Sequence, residues 1–491
     1  MTDNFCKKSN IFILLGYFYT LLPILIFFIG YCRLPIAIVG TILILFSSYF
    51  LFKNAPKIWI PQNKKEWLTL GVILFIIILW VCYSGIGAIS YQTPDHNCRN
   101  PIFELLVTQK WPVMVDSNIL TYYIGFWLPP AIIGKIFNSV SIGYYAQIVW
   151  AVFGIFLFVY YVLAIFRKKL FIPFILFIFF SGLDYLGCCI ADFYRSGIYL
   201  MLRNAYIVSH LEWYLSGLQF SSFTTQLYWV FNQAIPIWVI TMLLWHEKNN
   251  KNLIFIYSCS FISSTLPAMG LFPLVIYWYF KNGRKSIKSS FKKNRFLRTI
   301  KNGITLQNVI GALIIVPISY VYLSGNITGH NVYVDSVSSN HNGLFYMTCR
   351  FMMFFMLEVG LYLMFLWKKH KCNFMFYIII LCFIIYPHIN IGTNADFCMR
   401  ATIPALIILF IYVVDLFYDK KFLTNKLAVY ALICILLIGS MTPIHEIGRS
   451  ILLTAEGYKK RESALGFANF FAYGENNKFL KYIAKNQKAK N

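Results

Sequence analysis

Residues 93–137 read TPDHNCRNPIFELLVTQKWPVMVDSNILTYYIGFWLPPAIIGKIF, and they follow directly on a long apolar run, Leu68–Ile89. An acid, Asp95, stands just past that run. A charged amphipathic stretch then leads to Trp111-Pro112, and an aromatic, double-proline segment closes the series. The preceding run is long enough to span a bilayer, so this order places a carboxylate at the membrane surface. An ionisable group beside hydrocarbon is expensive and is kept for pairing or chemistry, general-base catalysis among them.

The rest of the chain fits that setting. Of its 491 residues, 59% are hydrophobic and 12% charged, the composition of an integral membrane protein with no stretch long enough for a soluble domain. The net charge of +25 does not indicate a nucleic-acid partner. The lysines lie in the gaps between apolar runs, where the positive-inside rule and anionic lipid head groups place them. The first run, Ile11–Gly30, follows Lys7 and Lys8 and lacks a small-residue cleavage site, so it reads as a retained helix. The twelve cysteines show no CxxC spacing. A disulfide among Cys32, Cys98, Cys188, Cys189 and Cys398 stays open. Frequent Lys, Asn, Ile and Phe hint at a bacterial source.

The apolar runs predict an all-α polytopic membrane protein of about 13 transmembrane helices. The basic loop Lys281–Lys301 must be cytoplasmic. Counting from it puts the N-terminus inside and the C-terminus outside under two conditions. Segment 252–280 must be a hairpin turning at Pro267–Gly270, and 118–137 must lie on the outer surface without crossing. Residues 1–441 then form the transmembrane domain, with two leading helices in 11–52 and a large external loop at 91–141 carrying amphipathic helices. Residues 442–491 form a short external tail. Nearly every acid able to do chemistry falls on one side.

Several residues on that side are candidates, each with a plainer alternative. Asp95 also suits an N-cap of the following helix. His96 and Arg99 share its turn and suit a solvated face equally well, while Glu104 faces away and is expected to be structural. Asp184 sits near a glycine inside a span, where an acid is costly; a neutral acid hydrogen-bonded between helices is the alternative. His210, Glu212 and Trp213 belong to a polar-aromatic loop suited to sugar stacking or to an interfacial belt. Arg203, Arg350 and Arg400 are placed to meet phosphate in bidentate fashion, or to snorkel to lipid.

Asp95, the Thr108–Pro112 turn with Trp111, and the Tyr122-Tyr123 to Pro129-Pro130 segment resemble the first external loop of the GT-C superfamily of membrane glycosyltransferases. The aminoarabinose and protein-mannosyl transferase type is the nearest in character. The likeness covers Leu79 to Val140. It departs in having one acid, Asp95, followed by His96 and Asn97 where the superfamily often has two. The resemblance implies a GT-C-like fold and transfer of a sugar from a polyprenyl-phosphate-linked donor to a glycan, lipid or protein acceptor. Asp95 would deprotonate the acceptor in an inverting displacement. Asp184 and Glu212 would be supporting acids or metal ligands. Arg203, Arg400, Arg350 and Arg99 would hold phosphate, and His96, His210, Trp213 and Trp111 would hold sugar or acceptor. A divalent cation, magnesium or manganese, stays open as a cofactor. The expected place is the plasma membrane with the site on its outer face. A lipid-linked glycan flippase or transporter, or a glycan polymerase or ligase, are the alternatives.

Overall fold

The computed structural model describes residues 7–196, 210–286, 295–325, 333–334, 341–392, 395–458, 470–474 and 477–485. Among these the chain is nearly all-α, and ten helices are long and apolar enough to cross a membrane. Apolar runs of this length in hydrocarbon can satisfy their own N–H and C=O groups only as helices. Polar residues start several of them. Asn63 accepts the Glu66 N–H at 2.9 Å and Ser222 that of Thr225 at 3.0 Å. Two shorter apolar helices, Phe374–His388 and Ile403–Leu416, complete the bundle.

Phe223–His246 is its axis, with the whole of its apolar window buried. It is not straight. The backbone leaves helical geometry at Val230 (φ −137°, ψ 30°). The indole N–H of Trp238 then donates to Gln226 Oε1 at 2.8 Å, although these residues are 12 apart and an unbroken helix would part them by about 18 Å. Phe223 packs on Trp238 with ring centroids 5.8 Å apart, so the two halves fold back on each other with Val230 at the bend. Such breaks persist at membrane depth only where protein or a cavity takes up the freed polar groups. Here Thr93 donates its hydroxyl to Tyr228 O, just before the bend, at 3.3 Å.

Segment 252–280 is a hairpin, but its turn is not at Pro267–Gly270. The helix Phe261–Ser286 runs through both Pro267 and Pro273 and bends at Ser264. The chain reverses just before it, since Tyr257 donates to Ala268 O at 3.0 Å and stacks near Phe272. The other arm, Leu253–Ser258, has six residues and extends about 9 Å, so it re-enters without crossing. It is one of three segments by which the ten long helices fall short of the expected thirteen; the other two are Phe374–His388 and Ile403–Leu416, apolar but shorter. Segment 118–137 is likewise no span. Its longest helix, Leu128–Ile136, has nine residues, about 14 Å. It does not lie on the surface as expected: Trp127, Leu128, Pro129, Pro130 and Ala131 are buried.

Described residues beyond 442 join the body. The helix Met441–Ala455 buries Thr442, His445, Glu446 and Arg449, and strand Phe471–Tyr473 pairs antiparallel with Asn118–Leu120. At the other end of the bundle the basic loops gather. Tyr160 donates to Trp59 O at 2.6 Å, Tyr418 to Lys168 O at 2.7 Å, Asn250 to Thr299 O at 2.9 Å, and Lys369 pairs with Asp415 at 2.7 Å. By the positive-inside rule this end is the expected cytoplasmic one. A cysteine at Ser141, exposed at the far end, should therefore react with an impermeant maleimide added to whole cells. Labelling only after the membrane is opened would reverse the orientation.

Candidate functional site

A cavity of about 490 Å³ opens at the end opposite the basic loops. Four separate parts of the chain build it. Asp95 begins the helix His96–Thr108, and residues 210–219 form one wall with His210, Trp213 and Gln219. Trp229 and Val230 come from the bend of the central helix, and Asp396 and Arg400 come from the short helix Asp396–Ala401. The break at Val230 thus has a consequence: it turns the end of a buried helix into a cavity wall.

Two carboxylate–arginine pairs face this space. Asp95 makes no capping bond to its helix. It accepts instead from Arg99 Nη2 at 2.7 Å, with 39% of its side chain exposed and only 3% of that of Arg99. Arg400 pairs with Asp396 in the same i, i+4 spacing. A third pair lies behind: buried Glu446 accepts from Arg449, from the Trp229 indole at 3.1 Å and from His210 Nδ1 at 2.9 Å. His210 is thereby held between a carboxylate and the amide of Gln219, whose Nε2 is 3.4 Å from its other ring nitrogen. The Trp213 ring stands edge-on to His210 at 4.8 Å and to Trp229 at 5.5 Å, and 58% of Trp213 is exposed.

Glu212 underlies this wall, taking the Ser222 N–H at 2.9 Å and Gln219 Nε2 at 2.8 Å. Burial, opposed by the neighbouring His210, pushes its carboxyl up to about 7. Burial lowers the His210 imidazole, but the bond and charge of Glu446 outweigh this and hold it above its ordinary value. Both shifts act on stability in one direction. A carboxyl raised on folding stabilises at low pH and loses that contribution as pH climbs through its folded value, and a raised imidazole behaves likewise. The thermal midpoint should therefore fall as pH rises from about 4.5 to about 7, with Glu212 alone contributing on the order of 3 kcal/mol. Glu212→Gln should flatten the profile in a detergent-solubilised melt. An unchanged slope would rule out Glu212 as its source.

The other sequence candidates are dispersed. His96 is buried, 3.2 Å from Thr93 Oγ1 and stacked on Phe231, and does not line the cavity. Arg350 bonds the carbonyl of Ser216, a lining residue, and so braces the rim. Trp111 is remote: its N–H donates to Leu106 O at 2.9 Å and its ring packs near Tyr31 and Lys135. Trp111, expected at the sugar or acceptor, is not among the residues that line the cavity. Glu104 accepts from Tyr144 at 2.9 Å, as a structural residue does. Arg203 lies outside the described residues.

Asp184 is buried away from the cavity, accepting from Ser181 at 2.7 Å and Thr442 at 3.0 Å. Glu358 lies beside it and accepts from Tyr214 at 2.8 Å, with the chain bonded across from Leu183 N to Leu357 O. Glu358 precedes Lys368, at the basic end of its helix, by about 15 Å of helix rise, so this acid pair lies part-way along the bundle and not at either end. Sequence reasoning grouped Asp396 with Asp95 on one face without assigning it a role, and passed over Trp229, Glu446 and Arg449. The only local sign of the last two is a charged break, His445 to Arg449, in an otherwise apolar run. Among the described residues no group of three or more His, Cys, Asp and Glu is arranged to hold a metal ion. Among the described residues Asp95 and Asp396 are each paired with an arginine. Comparison with protein-family models, with curated proteins and with solved structures finds no match.

Proposed function

We propose that this chain is a GT-C-like membrane glycosyltransferase. It moves a sugar from a polyprenyl-phosphate-linked donor to a glycan, lipid or protein acceptor at the outer face of a bacterial plasma membrane. The observation that supports this most is one cavity presenting the carboxylate of Asp95, the guanidinium of Arg400 and the indoles of Trp213 and Trp229 together. Indole faces suit sugar rings, a carboxylate suits an acceptor hydroxyl, and a guanidinium suits phosphate. Arg400, which lines the cavity, keeps a buried Nε–H without a protein acceptor among the described residues, and Arg99 and Arg449 behind it do the same. Leaving such donors unmade costs about 1–3 kcal/mol each, which favours a site held ready for ligand oxygens or ordered water.

In the reaction, the acceptor oxygen attacks the anomeric carbon as its proton passes to the Asp95 carboxylate. The bond from that carbon to the phosphate oxygen breaks, and the electron pair leaves with the polyprenyl phosphate. Negative charge grows at the leaving oxygen, where Arg400 stabilises it. The test is purified protein in nanodiscs with radiolabelled polyprenyl-phosphate sugars. Release of polyprenyl phosphate with inverted product is expected, and intact donor across a panel of sugars and acceptors would overturn the reading.

A flippase is the second reading, and the acids Asp184 and Glu358, part-way along the bundle, are what favour it. Against it, the void beside Glu358 holds only about 10 Å³, room for about one water. Movement of a fluorescent donor across vesicles without sugar transfer would select it.

A further inference from the structure

A second large cavity lies at the opposite, basic end of the bundle and holds about 560 Å³. Its walls are aromatic. Trp245 stands edge-on to Trp278 with ring centroids 6.4 Å apart, and to Tyr412 at 6.5 Å. Two amides brace these walls: Asn373 donates to the Tyr412 hydroxyl at 2.8 Å, and Asn282 to Glu247 O at 2.9 Å. Lys248 and Lys281 line its exposed side. Volumes of about 300–1,000 Å³ with apolar walls and a few polar groups are those of small-ligand sites.

The charge in this cavity is unbalanced. One carboxylate lines it, that of Glu247, and it is already engaged. Its Oε1 accepts the N–H groups of Lys248 and Asn249 at 2.9 and 3.2 Å, and its Oε2 accepts from Tyr17 at 3.3 Å and Asn252 at 3.4 Å. Among the described residues neither Lys248 nor Lys281 forms an ion pair with an acid, and Lys281 Nζ lies instead 5.1 Å from the Tyr277 ring centre. Two ammonium groups beside an aromatic chamber match a ligand with an apolar or planar body and a compact, doubly charged anionic end.

We propose that this cavity binds a phosphate-bearing ligand, with Lys248 and Lys281 on the phosphate and Trp245, Trp278 and Tyr412 around the remainder. Lysine binds phosphate as a point charge, and two lysines balance the roughly −1.5 to −2 charge of a phosphate monoester. The same chemistry has two sources, a phosphomonoester lipid head group, as in phosphatidic acid, from the adjacent leaflet or a soluble phosphate monoester or pyrophosphate. The site is separate from the Asp95 cavity and does not depend on the sugar-transfer reading.

Two measurements on the full chain separate the sources. In phosphatidylcholine nanodiscs, equilibrium dialysis against radiolabelled pyrophosphate tests the soluble source. Native mass spectrometry of protein extracted from membranes containing phosphatidic acid, whose head group is a phosphate monoester, tests the lipid source. At least one should show saturable binding of one ligand per chain. The double variant Lys248→Gln/Lys281→Gln should weaken it by at least about tenfold. Lys420→Gln, exposed and outside the cavity, should leave it unchanged. Both lysines are exposed, so folding is expected to survive and gel filtration checks it. No saturable binding in either measurement, or an equal loss in Lys420→Gln, overturns the proposal.

Discussion

Asp95→Asn should abolish sugar transfer and leave the chain folded. The residue starts a helix without capping it through its side chain, so the substitution removes no cap. Asparagine keeps an oxygen for Arg99 Nη2, which now sits 2.7 Å from the carboxylate. The lost property is the capacity to take a proton. General-base catalysis contributes about 10²–10⁴-fold, so turnover should fall to background in membranes carrying normal amounts of the variant. The control is donor binding, which should persist because Arg400 and the indoles are untouched. Sugar transfer at the native rate with Asp95→Asn would end the assignment of Asp95 as the base, whatever else lines the cavity.

Arg400→Gln should lower kcat by about tenfold to a hundredfold, the effect of losing a charge-assisted hydrogen bond worth about 1.5–3 kcal/mol. The loss should appear in kcat more than in acceptor KM, because the charge Arg400 meets grows as the phosphate leaves. A structural explanation exists and can be separated. Arg400 also neutralises Asp396, so the single variant leaves a carboxylate alone in the cavity. The double variant Asp396→Asn/Arg400→Gln removes that stray charge. If it regains the native rate, Arg400 serves only to balance Asp396. If the double variant stays slow, Arg400 acts on the leaving group. Should both variants run at the native rate, Arg350, at the cavity rim through Ser216, is the next residue to replace.

The two carboxylate–arginine pairs explain how part of the site could be read without coordinates. Asp95 and Arg99 are four residues apart, and a helix brings such positions together regardless of its surroundings. Asp396 and Arg400 have the same spacing, yet only the arginine was singled out, because the helix joining them is short and its apolar context reads as a loop. His210 and Trp213 stood out through a polar-aromatic composition that is itself local. Trp111 shows the limit of that reasoning. A tryptophan beside a proline in the right loop looks like a sugar platform, but Trp111 is not among the residues that line the cavity, and its indole N–H donates to Leu106 while its ring packs near Tyr31.

What the sequence by itself determined is what depends on composition and short spacing: a multi-pass helical membrane protein, the segments 118–137 and 252–280 that do not cross as simple spans, and the sorting of basic loops from acidic ones. These follow from transfer free energies and helix rise, which act over neighbouring residues. Tertiary structure alone decided the rest. The bend at Val230 has no glycine or proline at that position, and the carbonyl of Tyr228 just before it is met by Thr93. His210 is oriented by Glu446, 236 residues away. The meeting of Asp184 with Thr442 joins residues 258 apart. Partners at such separations leave no periodic trace in the chain, because a buried polar group is stabilised by whichever donor the packing brings to it.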